Sequence, residues 1–191
     1  IVSLGIFDYL IPNFQEKSGQ TKDQPIIVAG NLAQEKAGYL YALPAEPAYN
    51  LYGVGFDESR ALENETYFGS FLPDELPAAL EGGFGLVWGN SENPEDERDY
   101  YKENISYKLS TYLSAGLPVV VPDYLSNADY IREKGLGFVA SSLEEANRLV
   151  QDCTEEEYAQ MVRKAQYTSY LIRNGYFTKK LFVDTIMALG E

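Results

Sequence analysis

Short apolar runs alternate with helix-like segments along most of this chain. The apolar runs are brief and continuous, and they cover residues 26–29, 51–56, 66–71, 85–88, 118–121 and 137–140. Strands that are apolar throughout, rather than at every second position, are typical of a parallel sheet buried on both faces. The pattern therefore predicts an α/β fold: a doubly wound parallel sheet of about six strands with helices on both faces.

The segments between these strands carry the start and stop signals of helices. Ser126 or Asn127 is suited to cap a short helix that Gly135 ends, Ser142 opens a capping box, and Thr154 is suited to cap a long helix. The predicted helices cover residues 34–43, 73–80, 105–115, 127–134, 142–151, a long segment after Thr154 and a last one from Gly175 to Leu189.

The first 24 residues differ from the rest in composition. Residues 1–12 are largely apolar, and residues 13–24 are polar and rich in Lys, Gln, Gly and Ser. We interpret residues 1–24 as a residual inter-domain segment and linker, and residues 25–191 as one domain. No basic stretch or cleavage site accompanies the apolar start at Ile1, which makes a signal peptide a poor interpretation and favours a longer precursor or parent chain.

Charge and residue usage exclude several classes of function. The formal net charge is −14, from 29 acidic and 15 basic residues, so nucleic acid is not expected as a ligand. No apolar run approaches the roughly 18 residues of a membrane span. The single Cys153 excludes an intramolecular disulfide and suits the cytoplasm. Histidine is absent, which removes the usual general base and zinc ligand.

The loop before the 105–115 helix is the first candidate for chemistry. Open parallel sheets bind ligands beyond the carboxyl ends of their strands, and this loop follows such an end. Asn104 or Ser106 can cap the helix, whose first-turn N–H groups, together with Lys108, would bind a pyrophosphate. Alternatively, the cap belongs to an ordinary core helix and Lys108 is solvated.

A second candidate follows the first strand. Gly30 and Asn31 end that strand, and Lys36 lies one turn into the next helix, within reach of a ligand above Gly30. Neither the dinucleotide fingerprint Gly-x-Gly-x-x-Gly nor a P-loop is present. The alternative is a tight turn at Gly30 and an exposed helical position for Lys36.

Aromatic residues at the ends of the third and fourth strands could stack on a nucleobase. They are Tyr67, Phe68 and Trp88, with Trp88 favoured because Gly89 and Asn90 lead from it into a loop. Core packing is the more frequent role of an aromatic side chain in a strand.

The segment 89–103 is predicted to be a long loop, strongly acidic from residue 91 onward. Glu95 and Glu103 have the spacing of a carboxylate pair, but solvated side chains are the simpler interpretation. Such a segment could bind a divalent ion only weakly, and no metal is expected.

The segment 104–141 resembles the C-terminal, donor-binding half of a GT-B glycosyltransferase. The matching features are a lysine-led helix, the run Tyr-Leu-Ser-Ala-Gly-Leu-Pro-Val-Val, an Ala-Asp-x-Ile helix and a Gly-x-Gly before the last strand. Three further runs occur in the same order: Ile-Ile-Val-Ala-Gly-Asn, Tyr-Phe-Gly-Ser-Phe and Gly-Leu-Val-Trp. With these runs, the chain is similar to bacterial glucosyltransferases that extend glycans on serine-rich repeat adhesins, and to galactofuranosyltransferase-like relatives. The resemblance covers roughly residues 25–189.

This resemblance implies a Rossmann-like domain that binds a UDP-sugar, UDP-glucose or a related UDP-hexose. It implies that Lys108 and the turn 104–106 contact the diphosphate, that Asn31 and Lys36 lie near the same phosphates, and that Tyr67 lies near the uridine. Many GT-B enzymes hold the ribose with a glutamate five residues before the helix-ending glycine, and here that position is Thr111.

The resemblance also implies an N-terminal half that binds a glycan or glycoprotein acceptor and toward which the helices after Gly175 return. Without that half, the chain is expected to bind donor and catalyse little. No Asp-x-Asp motif is present, which fits a leaving-group site without metal or further cofactor. Two alternatives to a hexosyltransferase stay open: a non-catalytic assembly partner and a UDP-sugar epimerase. A homo-oligomer also stays open.

Overall fold

Six parallel strands form the sheet in the computed structural model, which describes residues 4–12, 14–89 and 94–190. The strands are β1 (Ile26–Asn31), β2 (Tyr49–Val54), β3 (Glu65–Tyr67), β4 (Phe84–Leu86), β5 (Val119–Pro122) and β6 (Gly137–Ala140). Their order is β3-β2-β1-β4-β5-β6, and every neighbouring pair is parallel. The predicted doubly wound α/β sheet is confirmed, and its strand order reverses between β1 and β4.

Eight α-helices accompany the sheet in the described part of the chain. They are α1 (Gln34–Ala37), α2 (Leu76–Ala79), α3 (Pro94–Glu103), α4 (Tyr107–Ser114), α5 (Ala128–Lys134), α6 (Leu143–Asp152), α7 (Glu155–Arg173) and α8 (Tyr176–Leu189). Short 3-10 turns cover Gly38–Ala42 and Glu58–Arg60. None of the helices described has both the length and the apolar character required to cross a bilayer.

Each face of the sheet has its own hydrophobic core, because successive side chains of a strand point to opposite faces. Ile27 and Ala29 of β1 contribute to the first core, which packs against α4, α5 and the C-terminal part of α7. Ile26 and Val28 contribute to the second core, which packs against the 38–42 turn, α6 and the N-terminal part of α7. The sheet is thus covered on both faces, as its continuously apolar strands predict.

Several predicted helix ends are confirmed. Asn127 occupies the N-cap position of α5 without a side-chain capping hydrogen bond within the described residues, and Gly135 ends that helix in a left-handed conformation with φ of 61°. The Ser142 side chain accepts from the Glu145 N–H at the start of α6. Thr154 and Glu157 form a complete capping box at the start of α7. These signals are read correctly from sequence because each involves residues at most eight positions apart.

Replacing Thr154 by alanine should destabilise the fold by about 1 kcal/mol at neutral pH, since the Glu157 N–H loses its side-chain acceptor. The Thr154 N–H and hydroxyl donate to the Glu157 carboxylate and lower its pKa. A carboxyl group whose pKa is lowered by folding contributes stability above its unfolded pKa, and loses it as pH falls through the folded value.

Urea denaturation of both proteins at pH 7 and near pH 3 measures this effect. We expect the difference between wild type and Thr154→Ala to shrink at the lower pH. A difference of equal size at both pH values would show that the hydroxyl acts independently of the Glu157 carboxylate.

Several predicted boundaries are wrong. The strand predicted over residues 66–71 ends at Tyr67, and the helix predicted over residues 73–80 is observed over Leu76–Ala79. The helix predicted over residues 34–43 is split into α1 and the 3-10 turn that begins at Gly38. The segment 89–103 is not a loop throughout: residues 90–93 lie outside the described residues, and α3 occupies Pro94–Glu103. Pro94 suits the first helical position, and the acids that follow it favour the positive end of the helix dipole.

The N-terminal segment, predicted to be a linker, packs along the body of the domain. Ile6 and Tyr9 are 1% and 6% exposed and belong to the first core. The Asp8 carboxylate accepts from the N–H groups of Phe177 and Thr178 in the first turn of α8. The Asn127 side chain donates to the Gly5 carbonyl. Residues 1–3 and 13 of the predicted linker lie outside the described residues.

Candidate functional site

The two central strands separate at their carboxyl ends. The register of β1 with β4 ends at Ile27 and Gly85, whereas that of β1 with β2 continues to Asn31 and Val54. The gap between β1 and β4 opens where the strand order reverses, which is the place where open α/β sheets bind ligands. We call this gap the crevice, and the candidate site is built around it.

Lys108 lies across the crevice. It is the second residue of α4, and its Nζ donates to the carbonyl of Trp88, just after β4, at 2.8 Å. The lysine stem passes over Gly30 of β1, where an added Cβ would lie 3.3 Å from Cε. The side chain is half-buried. Lys108 is therefore held at the switch point rather than solvated on a helix surface.

The amino end of α4 is directed at the same region. Ser106 is its N-cap residue and is buried, but its side chain makes no capping hydrogen bond within the described residues. Asn104 does not cap α4, because its side-chain amide donates to the Tyr100 carbonyl and thereby completes the end of α3. Of the two predicted caps, Ser106 occupies the N-cap position and Asn104 does not, and neither supplies a side-chain hydrogen bond to the first turn within the described residues.

A cation in the first turn of a helix is opposed by the helix dipole, and an anion there is favoured. Lys108 occupies that unfavourable position, partly buried, in a helix whose N-cap residue Ser106 makes no side-chain capping hydrogen bond within the described residues. A bound phosphate would interact favourably with both the ammonium and the helix terminus. The electrostatics of the crevice therefore suit an anionic ligand.

Gly30 and Asn31 end β1 beside Lys108, whereas Lys36 belongs to α1, the helix that follows. Gly30 has φ of 132°, and the Asn31 side chain accepts from the Ala33 N–H at 3.0 Å, which turns the chain into α1. Lys36 lies on the exposed side of α1. The structure thus brings Gly30 together with Lys108 and leaves Lys36 outside the residues that line the adjoining cavity.

Tyr67 and Trp88 lie on the opposite face of the sheet from α4. The Tyr67 hydroxyl donates to the Gly53 carbonyl at 2.7 Å, and its ring packs against Phe56 with centroids 5.2 Å apart. The Trp88 ring belongs to the second core and is 8% exposed, so the stacking surface predicted for it is covered by core side chains. Trp88 contributes its carbonyl, not its ring, to the crevice.

A cavity of about 180 Å³ adjoins Lys108 on the α4 face of the sheet. Its lining is mostly aromatic or apolar, and consists of Tyr9, Ala29, Gly30, Phe71, Pro73, Leu76, Tyr107, Lys108 and Thr111. The rings of Tyr9 and Tyr107 lie 5.4 Å apart, and the Tyr9 hydroxyl donates to the Pro73 carbonyl at 2.6 Å. Burial raises the pKa of Tyr9 well above its usual range, so the phenol stays protonated.

Sequence reasoning missed most of this lining. Tyr9 comes from the predicted inter-domain segment and Phe71 from the chain after β3, and neither belongs to a motif that indicates a site. Thr111, the predicted ribose position, is 3% exposed and donates its hydroxyl to the Tyr107 carbonyl at 3.1 Å. It forms part of the cavity wall as a hydrogen-bonded helical residue.

Acidic side chains do not form a metal centre in the part of the chain that the structure describes, where no group of three or more potential ligands is arranged for an ion. Glu103 is exposed at the end of α3. Glu95 lies in the same helix, but its side chain is outside the described residues. The interpretation of this segment as a solvated face suits Glu103.

Comparison with known proteins finds a sequence family that matches most of this chain. Residues 26–185 match the family described as glucosyltransferase 3-like, C-terminal domain. Glucosyltransferase 3 of Streptococcus gordonii is 52% identical over 132 residues, covering 69% of this chain and 40% of the relative. The β-1,6-galactofuranosyltransferase WbbI of Escherichia coli K12 is 32% identical over 194 residues, covering 97% of this chain and 57% of the relative. The chain thus spans about half the length of these relatives.

Solved structures show the same fold at low sequence identity. A mutant of Staphylococcus aureus TarM, in complex with fondaparinux, α-GlcNAc-glycerol and UDP, matches with a TM-score of 0.59 at 13% identity over 93% of this chain and 37% of that one. WaaG, a glycosyltransferase involved in lipopolysaccharide biosynthesis, matches with a TM-score of 0.52 at 17% identity over 93% of this chain and 55% of that one. The predicted resemblance to GT-B glycosyltransferases is confirmed at the level of fold.

Proposed function

The chain belongs to the glucosyltransferase 3-like C-terminal domain family, and from this premise we propose that it binds the nucleotide-sugar donor of a glycosyltransferase. The donor we propose is UDP-glucose or a related UDP-hexose, and the acceptor is a glycan or glycoprotein. The observation that carries the proposal is the half-buried Lys108 ammonium, held at the switch point between β1 and β4.

Local charge and close backbone approach at the crevice support the proposed binding of a sugar diphosphate. Lys108 supplies a positive charge, and the first turn of α4 supplies backbone N–H donors and the positive end of a dipole. Gly30 allows close approach, because a side chain there would meet the lysine stem. In a chain of net charge −14, this local arrangement is what makes an anionic ligand favourable at this edge of the sheet.

The reaction we propose is displacement of UDP from the anomeric carbon of the sugar. The bond between that carbon and the β-phosphate oxygen breaks, the electron pair stays on UDP, and an acceptor hydroxyl oxygen bonds the carbon and releases its proton. Lys108 and the α4 terminus would stabilise the charge that develops on the leaving diphosphate. This role requires neither histidine, which the chain lacks, nor a metal ion.

We further propose that the reaction takes place in the cytoplasm, with the acceptor approaching the carboxyl edge of the sheet. The one cysteine, Cys153, is buried and unpaired, which suits a reducing compartment. The exposed ring of Tyr107, which stands beside Lys108 on α4, offers an aromatic surface at that edge.

Isothermal titration of the 191-residue chain with UDP and with UDP-glucose tests the proposal directly. We expect saturable binding of both ligands without added divalent metal, and weaker binding of uridine, which lacks the diphosphate. No saturable heat with either ligand at millimolar concentration would contradict donor binding and favour the non-catalytic assembly role.

A further inference from the structure

A tyrosine of α4 takes part in the hydrogen bonding of the central sheet. Tyr112 is fully buried, and its hydroxyl oxygen accepts a hydrogen bond from the Ala29 N–H at 2.7 Å. Ala29 lies two residues beyond Ile27, the last residue of β1 in register with β4. The N–H that a continuing β4 would have satisfied is therefore satisfied by a side chain from a helix.

The sheet makes room for this contact at Gly85. A Cβ added to Gly85 would lie 2.3 Å from Cγ of Tyr112, so the ring lies directly against the β4 backbone. The ring can occupy this position only because residue 85 has no side chain. The hydroxyl then reaches the edge of β1 at the point where the two strands separate.

Tyr112 and Lys108 act on the same stretch of β1. They are four residues apart on α4 and therefore lie on one side of the helix, one turn apart. Tyr112 contacts Ala29, and the Lys108 stem crosses the next residue, Gly30. The hydroxyl thus fixes the strand on which the lysine side chain rests.

We propose that Tyr112 is a positioning residue for the Lys108 ammonium, a role that rests on the proposed binding of a nucleotide diphosphate at the crevice. Its hydroxyl takes the place of a β4 carbonyl, keeps the crevice open and sets the position of Gly30 beneath the lysine stem. Without it, the buried Ala29 N–H lacks an acceptor, a cost that is relieved by movement of β1 toward β4 or by rotation of the peptide. Either movement displaces Gly30, over which the Lys108 stem passes.

Another buried tyrosine provides a matched control for loss of a hydroxyl. Tyr158 is 2% exposed and belongs to the second core, and its hydroxyl donates to the Gly83 carbonyl, beside β4, at 2.8 Å. Like Tyr112, it is buried and bonded to a backbone group, although its hydroxyl donates whereas that of Tyr112 accepts, and it lies on the other face of the sheet. Tyr112→Phe and Tyr158→Phe both keep the ring and remove one buried hydrogen bond.

The test measures the dissociation constant of UDP by calorimetry and the thermal midpoint of each variant. We expect both variants to lower the thermal midpoint by similar amounts, and only Tyr112→Phe to raise the dissociation constant, by roughly three- to tenfold. In a Lys108→Met background, Tyr112→Phe should change UDP affinity no further, because the group that it positions is gone.

Two results would overturn the positioning role while leaving donor binding intact. The first is an unchanged dissociation constant in Tyr112→Phe, or an increase equal to that in Tyr158→Phe, which would mean that only stability is affected. The second is the full effect of Tyr112→Phe persisting in the Lys108→Met background. A wild-type chain that does not bind UDP would overturn the proposed function and this inference together.

Discussion

Replacing Lys108 by methionine should weaken UDP binding by about 1–3 kcal/mol, the largest effect on affinity that we expect from one substitution. Methionine keeps an unbranched apolar stem over Gly30 but removes the charge and the hydrogen bond to the Trp88 carbonyl. The loss is expected to be large because the lysine is half-buried, where solvent screens the attraction to phosphate less than at the surface.

The controls for Lys108→Met distinguish the effect of a local contact on UDP affinity from the effect of the net charge. Lys134 is exposed at the C-terminal end of α5, which leads into the amino end of β6. Lys134→Met therefore makes the same charge change at the opposite end of the parallel strands. We expect it to leave UDP affinity within about twofold, because separated exposed charges are largely screened. Lys36→Met measures the other predicted phosphate contact independently.

Ionic strength provides a second readout of the same contact. Raising the salt concentration should weaken UDP binding to the wild type and should have a smaller effect on Lys108→Met, since the variant lacks the attraction that salt screens. Equal affinity in the wild type and Lys108→Met would remove the lysine from the site. An equal loss in Lys134→Met would show that the effect is one of overall charge.

Replacing Gly85 by alanine should destabilise the fold by about 3 kcal/mol, because the added methyl group overpacks the core. The added Cβ would lie 2.3 Å from Cγ and 2.5 Å from Cδ2 of Tyr112, well inside contact distance. The ring cannot move away easily, because it is fully buried and its hydroxyl is bonded to the Ala29 N–H. Either β4 or α4 must shift.

Chemical denaturation of Gly85→Ala measures this loss, and Gly190→Ala is the matched control. Gly190 follows α8 with φ of −89°, and its nearest neighbours would lie 3.6 Å from an added Cβ, which is ordinary contact. We expect Gly190→Ala to change the free energy of unfolding by less than about 0.5 kcal/mol. A loss below about 1 kcal/mol in Gly85→Ala would contradict a fixed Tyr112 ring.

Much of the fold could be predicted because its determinants are local in sequence. The apolar runs gave six strands near their observed positions, and Gly135, Ser142 and Thr154 marked helix ends through neighbouring residues. The acidic helix α3 was missed because its sequence lacks the apolar periodicity of a helix that packs on a core. Its stability must be inferred from propensity, which is the weaker signal.

The candidate site was predicted only in part, because its contacts are long-range. Lys108 was found from its position at a helix start, but the residues that hold it are Gly30 and Trp88, which are distant in the chain. The contact between Tyr112 and Ala29 joins residues 83 positions apart and leaves no sequence pattern. Trp88 was favoured as a stacking ring, although its spacing from Phe84 and Leu86 places all three in the second core.

The helix α7 has a consequence for how the domain loses its structure. Tyr158, near its start, belongs to the second core, whereas Ala165 and Ile172 belong to the first. This single helix therefore packs against both faces of the sheet, and loss of packing in either core exposes apolar surface on the same helix. The amides of β1 and β4, which lie between the two cores, should consequently exchange with solvent only through global unfolding, as one cooperative unit.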